Sequence, residues 1–307
     1  MKRHLIIGTR QSKLALWQAN YIAGELSRHY PDCAVELVKI VTSGDRILDV
    51  PLAKIGGKGL FTKEIEQAML DKKIDLAVHS LKDMPTELPE GLTLAAITER
   101  AHAGDAFVSN KYASLATLPA GAVVGTSSLR RRAQLLRVRP DLTIVDLRGN
   151  LDTRLAKLDR GEVDAIVLAV AGLVRLGWSE RVTEILSPEA CLPAVGQGAL
   201  AIEAREDDAE TLTMLSVLND EKTRMAVTAE RAFLGVMGGG CQVPVGVHAV
   251  MVDDETVKLK AIIASLDGKT TVEGCEEGPA AQAAVIGEKL ADRLLLEGGA
   301  VILQDIM

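Results

Sequence analysis

Arginine is the residue type whose spacing first points to chemistry. Arg130, Arg131, Arg132, Arg137, Arg139, Arg148 and Arg154 all fall within residues 126–154, with no lysine among them and three aspartates, at 141, 146 and 152. Arg137 and Arg139 read as a solvated helix face, the ordinary setting of a charge run. Arg130 and Arg131 stand instead in the first turn of an expected helix, where a cation opposes the helix dipole and so points to an anion bound there. Arg148 follows an expected strand, and Arg154 lies in the first turn or so of the next helix. Guanidinium groups grip carboxylate or phosphate through paired hydrogen bonds, so arginine throughout fits a small polyanion held in a cleft. Arg10, Lys54 and Lys58 can add positive charge to it.

Two other groups can react. Asp83, in Leu81-Lys82-Asp83-Met84-Pro85, sits just past an expected strand. It is either a turn carboxylate or an acid–base group at a strand tip. Cys241 ends the run Gly238-Gly239-Gly240, whose glycines permit positive φ and close approach of another molecule. It is either a small buried filler in a turn or a thiol free to meet something bulky. His79, a single histidine in an apolar strand, reads as structural.

The elements that must position these groups alternate. His4–Thr9, the segment 34–41 and the segment 75–80 read as strands, with helices from Ser12 and over 60–73; the stretch 42–59, with Pro51 and three glycines after it, has no clear period and reads as a lid or binding loop. A second set runs from about Gly104 to Ala169. Both sets contain a strand, Gly-Thr, a polar link and a serine that opens a helix, at Gly8 to Ser12 and at Gly125 to Ser128. Parallel βα units with ligands at the strands' carboxyl ends are the expectation, as two half-domains facing a cleft. After Cys241 loose strand patterns and one final helix replace the alternation, as in a separate small α+β domain.

Composition narrows the function class. With 307 residues and 48% hydrophobic content the chain can bury a large core, and a net charge of -7 argues against a general nucleic-acid binder. No apolar run reaches membrane-helix length, and the basic start lacks a signal-peptide core, so a cytoplasmic protein is expected. The cysteines at 33, 191, 241 and 275 and the five histidines show no metal-ligand spacing, so no metal is expected. Gly-Gly-Lys-Gly at 56–59 fails as a phosphate loop because position 52 is leucine and no Ser or Thr follows the lysine. Gly196-Gln197-Gly198 matches a dinucleotide string but continues as a strand, where that motif needs a helix.

The segments VHSLKDMP, GTSSLRRRAQL, LRGNLDTRL, LPAVGQGA and ERAFLGVMGGGCQVPVG together resemble the porphobilinogen deaminase family, in order and over essentially the whole chain. One departure is Gly238, where many members carry an acidic residue. The resemblance implies an α/β fold of two periplasmic-binding-protein-like lobes around a cleft plus a small α+β C-terminal domain. The expected boundaries are 1–98 with 199–217, 104–193, and 221–307. It implies an enzyme that condenses four porphobilinogen molecules head to tail into hydroxymethylbilane, releasing ammonia each time. It also implies a dipyrromethane primer attached through a thioether at Cys241.

By the same resemblance Asp83 is the catalytic carboxylate. Ser80, Lys82, Thr126, Ser128, Arg130, Arg131 and Arg154 join Cys241 as cofactor contacts. Arg10, Ser12, Arg148, Arg175 and Gln197 are substrate contacts, and Lys54 and Lys58 belong to the loop that would close over the cleft. Arg131, Arg148 and Arg154 are expected to affect catalysis as well as binding, and Arg132 to face elsewhere. The implied partners are porphobilinogen and, by transient hand-off, uroporphyrinogen-III synthase, with no nucleic acid, no membrane and a monomeric state. The rival readings are a non-enzymatic two-lobed binder of small polycarboxylates and a thiol-dependent transferase for another carboxylated substrate.

Overall fold

Short apolar segments bounded by polar turns become thirteen strands in the computed structural model, which describes residues 2–46, 59–238 and 243–304. In chain order they are β1 (His4–Thr9), β2 (Ala34–Lys39), β3 (Leu76–Ser80), β4 (Leu92–Ile97), β5 (Asp105–Val108), β6 (Val123–Gly125) and β7 (Thr143–Val145). There follow β8 (Ala165–Ala169), β9 (Glu184–Ile185), β10 (Leu200–Arg205), β11 (Val245–Met251), β12 (Thr256–Ala264) and β13 (Thr271–Pro279). The chain divides into two compact units. Among the described residues, one holds 2–46, 59–101 and 199–224; the other holds 102–198, 225–238 and 243–304.

The first unit contains a five-stranded sheet in the order β2-β1-β3-β10-β4. The second contains a sheet of the same build, β7-β6-β8-β5-β9. In each, the three strands separated by helices pair in parallel, as the βα alternation predicts. The sheets are nevertheless mixed, because β10 runs antiparallel to β3 and β4, and β5 antiparallel to β8 and β9. Periodicity misses β5 and β9 for a simple reason: with four and two residues they are too short to show a period.

Apolar spacing explains the cores. Helix Lys13–His29 starts at Ser12, whose hydroxyl accepts from the Ala15 N–H, and buries Ala15, Ala19, Ile22 and Leu26 at helical spacing. Ala19, Ile22 and Leu26 pack on Leu5, Ile7, Leu76, Val78, Leu200 and Ile202. In the second unit Phe107, Val124, Leu135 and Val167 share one core. Antiparallel β11-β12-β13 forms a further core with helices Glu221–Val236 and Ala283–Leu294 around Phe233, Val247, Leu259 and Leu290. No helix among the described residues is long and apolar enough to cross a membrane.

Electrostatic anchoring in the first unit makes one prediction. Burial alone would raise the Asp208 carboxyl, but the Lys2 ammonium at 2.7 Å and the Thr211 N–H hold it at about 2. A carboxylate depressed on folding stabilises above its unfolded pKa of about 3.9 and loses that contribution as pH falls through its folded value. Asp208→Asn is therefore expected to cost about 1–2 kcal/mol near neutral pH, with the gap to wild type closing by roughly pH 2. Urea midpoints across that range test it; a constant gap would contradict the assignment.

Candidate functional site

Parallel β1 and β3 lie side by side, so their carboxyl ends share one edge of the first sheet. Arg10 and Ser12 follow β1 there. After β3, Ser80 leads into a single 3-10 turn, Leu81–Asp83, that puts half-buried Lys82 and exposed Asp83 at the same edge. The turn is fixed from beneath: the Leu81 N–H donates to Ala199 O at 3.0 Å, and buried Gln18 donates to Ser80 Oγ at 2.8 Å. Arg10 donates to Asp45 through Nε, at 3.1 Å, and through Nη2, and its guanidinium lies 4.2 Å from the Phe61 ring centroid. Burial pushes the Asp45 carboxyl up, yet the hydrogen bonds from Arg10 and Thr42 hold it below the usual carboxylate range. His79 Nε2 lies 3.0 Å from Glu203 Oε2, both buried, which suits a structural histidine.

At the matching edge of the second sheet, Thr126 and Ser128 follow β6. Ser128 caps helix Leu129–Val138 by accepting from the Arg131 N–H, while the Thr126 hydroxyl accepts from the Ser128 N–H at 3.2 Å. Arg130 and Arg131 turn inward from that first turn onto one carboxylate. Arg130 Nη1 donates to Asp105 Oδ2 at 2.6 Å and to Leu192 O at 2.7 Å. Arg131 donates to Asp105 Oδ1 from Nε at 3.0 Å and from Nη2 at 2.6 Å, and from Nη1 to Val167 O at 2.9 Å. Full burial works against the Asp105 anion, but the two guanidiniums hold its carboxyl far below the usual range. Two cations against one anion leave a net positive charge in a buried place, where charge is costly unless a partner supplies its complement.

The other arginines distribute as follows. Arg148 is half-buried after β7 with Nη1 enclosed and lacking a hydrogen-bond partner, as does Ser127 Oγ. Arg154 donates to Gly149 O at 2.7 Å, and Arg175 to Gly198 O at 2.6 Å. Arg132 is exposed, although both its neighbours Arg131 and Ala133 are buried. Arg137 and Arg139, read from sequence as a solvated face, are half-buried ties instead: Arg137 reaches Glu189 O, and Arg139 binds Leu115 O at 2.8 Å, Leu118 O at 2.9 Å and Asp141. Buried Gln197 donates to Ala103 O at 2.6 Å and to Asp105 Oδ1 at 2.9 Å.

Lys54, Lys58 and Cys241 lie outside the described residues. The approach to the cysteine is described as far as Gly238, which stands at φ +63° just past helix Glu221–Val236 and donates its N–H to Gly235 O at 3.1 Å. A left-handed residue at a helix end favours glycine, so this local geometry accounts for Gly238. The remaining thiols are poor nucleophiles or stand apart. Burial pushes the Cys33 thiol up, and burial with the adjacent Asp105 carboxylate pushes Cys191 up to about 12. Cys275 is exposed in β13.

Sequence reasoning missed Asp105 and Glu230. Each had a legible signal. Asp105 is an acid at the head of an apolar four-residue strand, the kind of position that needs a cationic partner if buried. Glu230 recurs at helical spacing with Val227, Phe233, Leu234 and Met237, which puts it on the buried face of its helix. Among the described residues, no group of three His, Cys, Asp or Glu side chains is placed to hold a metal ion.

An α/β protein whose second sheet edge gathers arginines and hydroxyls offers the donors that an anionic ligand needs. Residues 5–213 match the family model described as porphobilinogen deaminase, dipyrromethane cofactor binding domain, and residues 224–296 match that of the porphobilinogen deaminase C-terminal domain. A porphobilinogen deaminase of Trichlorobacter lovleyi is 54% identical over 304 residues, covering 99% of this chain and 97% of its own. One of Gloeobacter violaceus is 54% identical over 310 residues, covering 100% and 94%. The chain belongs to the porphobilinogen deaminase family. At low identity it is also similar to a solved methionine-binding protein, MetQ, with 17% identity over 70% of this chain and 89% of that one and a TM-score of 0.46.

The residues of the second sheet edge fit the family's cofactor. A dipyrromethane bears several carboxylates, and the edge offers arginine and hydroxyl donors, a net positive buried charge and the unpartnered Arg148 Nη1 and Ser127 Oγ. Carboxylate against guanidinium is the pairing that such donors favour.

Proposed function

We propose that the protein condenses four porphobilinogen molecules stepwise onto a dipyrromethane primer and releases linear hydroxymethylbilane, a transferase reaction of porphyrin and haem biosynthesis. The observation that carries this reading is the buried Arg130–Asp105–Arg131 group with its net positive charge, in a domain whose family model is described by that cofactor. When bound, the primer supplies the pyrrole carbon to which the first substrate is joined. The chain's own residues do the rest. Arg130, Arg131, Arg148 and Arg154 bind acetate and propionate groups, with Thr126 and Ser128 as hydroxyl donors. Ser80 and Lys82 add cofactor contacts, and Arg10, Ser12 and Arg175 contact substrate.

Asp83 carries the proton chemistry. Its carboxyl donates the proton that leaves with ammonia as the aminomethyl C–N bond breaks, and its anion then stabilises the cation left on the pyrrole. Asp83 stands on a single turn pinned at Leu81 and Ser80, so the backbone that carries its carboxylate is held in place. Cys241 is the attachment point. It would hold the primer through a thioether, the bond that a nucleophilic thiolate is suited to make. Lys54 and Lys58 serve the loop that shields the reactive cation from water. In the same reading the chain has three domains, with the boundaries given above, and acts as a cytoplasmic monomer that passes its product to uroporphyrinogen-III synthase.

Intact mass tests the reading. Wild type is expected to carry added mass equal to two porphobilinogens less two ammonias and to colour with an aldehyde reagent for pyrroles, and Cys241→Ser to carry neither. An unmodified wild-type chain inactive on porphobilinogen would sink the proposal and favour a non-enzymatic binder of polycarboxylates.

A further inference from the structure

Gly196-Gln197-Gly198 imitates a nucleotide-binding string in sequence, and in the structure it has a different job. Both glycines are left-handed, at φ +69° and +96°, so the turn is cheap only for glycine. Its backbone and its side chain bind in two different places. The Gly196 N–H donates to Glu230 Oε2 at 2.7 Å. Glu230 is fully buried on helix Glu221–Val236 and takes the Ala249 N–H of β11 on its other oxygen at 2.8 Å. The neighbouring Gln197 amide donates to Asp105 Oδ1 at 2.9 Å, and Asp105 is the carboxylate that holds Arg130 and Arg131. One dipeptide therefore joins a helix to an arginine pair through bonds shielded from water.

We propose that Glu230 and Gln197 are positioning residues: with the Gly196–Gln197 peptide they form a bracket that fixes the Arg130–Arg131 pair relative to helix Glu221–Val236. The inference rests on the function proposed above and deepens it. In sequence, Cys241 follows that helix by five residues, so in the function proposed above the primer is attached on the chain leaving the helix and its carboxylates are held by the arginine pair. A ligand held at two points reacts in register only if their separation is fixed, and misplacement by about 1 Å can cost on the order of 100-fold in rate. Buried hydrogen bonds suit the task because an unpaired buried donor or acceptor is penalised, which leaves the bracket one favoured geometry.

The test uses loaded holoprotein of wild type, Gln197→Leu, Glu230→Gln and the double variant, with Gln197→Met as a second probe that keeps side-chain length. Each is compared per folded, primer-carrying chain, using intact mass and the unfolding midpoint as gates. Each single variant is expected to lower kcat at least about tenfold with KM for porphobilinogen within about twofold. The double variant is expected to fall no further than the worse single one, since breaking either link frees the same pair. A folded variant that fails to take up the primer would support the bracket in the same way. Unchanged kcat per loaded chain, or losses that multiply in the double variant, would overturn it while leaving the proposed function standing. A wild-type chain without the two-pyrrole mass would remove the function and the bracket together.

Discussion

Asp105→Asn is expected to destabilise the protein by about 3–5 kcal/mol, the range for breaking a buried ion group by removing one partner. The carboxylate is fully buried and is the shared counter-charge of two guanidiniums that are themselves buried. The asparagine keeps the shape and one acceptor oxygen but removes the charge, which leaves two desolvated cations against each other. The pH profile should change as well. Asp105 is depressed on folding, so it stabilises above the ordinary unfolded carboxylate pKa and its contribution is lost only on acidification; the variant should lack that part of the acid limb. Denaturant midpoints near neutral and acidic pH measure both effects. Replacing all three residues together, Arg130→Met, Arg131→Met and Asp105→Leu, should recover much of the lost stability, because an apolar set can substitute for a buried ion group. That triple variant should still fail to hold carboxylated pyrroles. Stability restored without binding would separate the triad's two roles, whereas a single Asp105→Asn variant as stable as wild type would show that the buried charges are compensated elsewhere.

The triad also shows where sequence reading stops. The arginines were legible because cations in the first turn of a helix contradict its dipole, and the capping serines, Ser12 and Ser128, were legible because an N-cap is a local feature. Strands with parallel partners were legible from alternation. What was hidden is the side-chain partner brought in by a distant segment. Asp105 lies 25 residues from Arg130 and 86 from Cys191, and although an acid heading an apolar strand calls for a cation, nothing local says which one. The antiparallel strands were hidden for the same reason: β10 pairs with β3 across more than a hundred residues, so the mixed sheet follows from chain path and not from periodicity. Arg137 and Arg139 show the converse error. A charge run reads as solvated until backbone carbonyls from another segment, such as Leu115 and Leu118, are folded against it.

Asp83→Asn is expected to lower turnover by about 10²–10⁴, the usual worth of a positioned proton donor, and to leave the unfolding midpoint unchanged. The two halves of that expectation come from different observations. The Asp83 side chain is exposed, and its turn is held by the Leu81 N–H on Ala199 O and by Gln18 on Ser80, so the fold does not depend on its charge. Asparagine has nearly the same shape and can still accept a hydrogen bond from a pyrrole N–H, so substrate affinity should change little. What it cannot do is give up a proton to departing ammonia or face the resulting cation with a negative charge. The loss should therefore appear in kcat with KM within a few-fold, the pattern of an interaction made in the transition state only. Asp83→Glu provides the control, since it keeps the charge and displaces it by about one methylene. A partial recovery of kcat would tie the defect to the carboxylate and its placement. If Asp83→Asn instead raised KM with kcat intact, Asp83 would be a binding residue, and the proton chemistry would have to belong to another group.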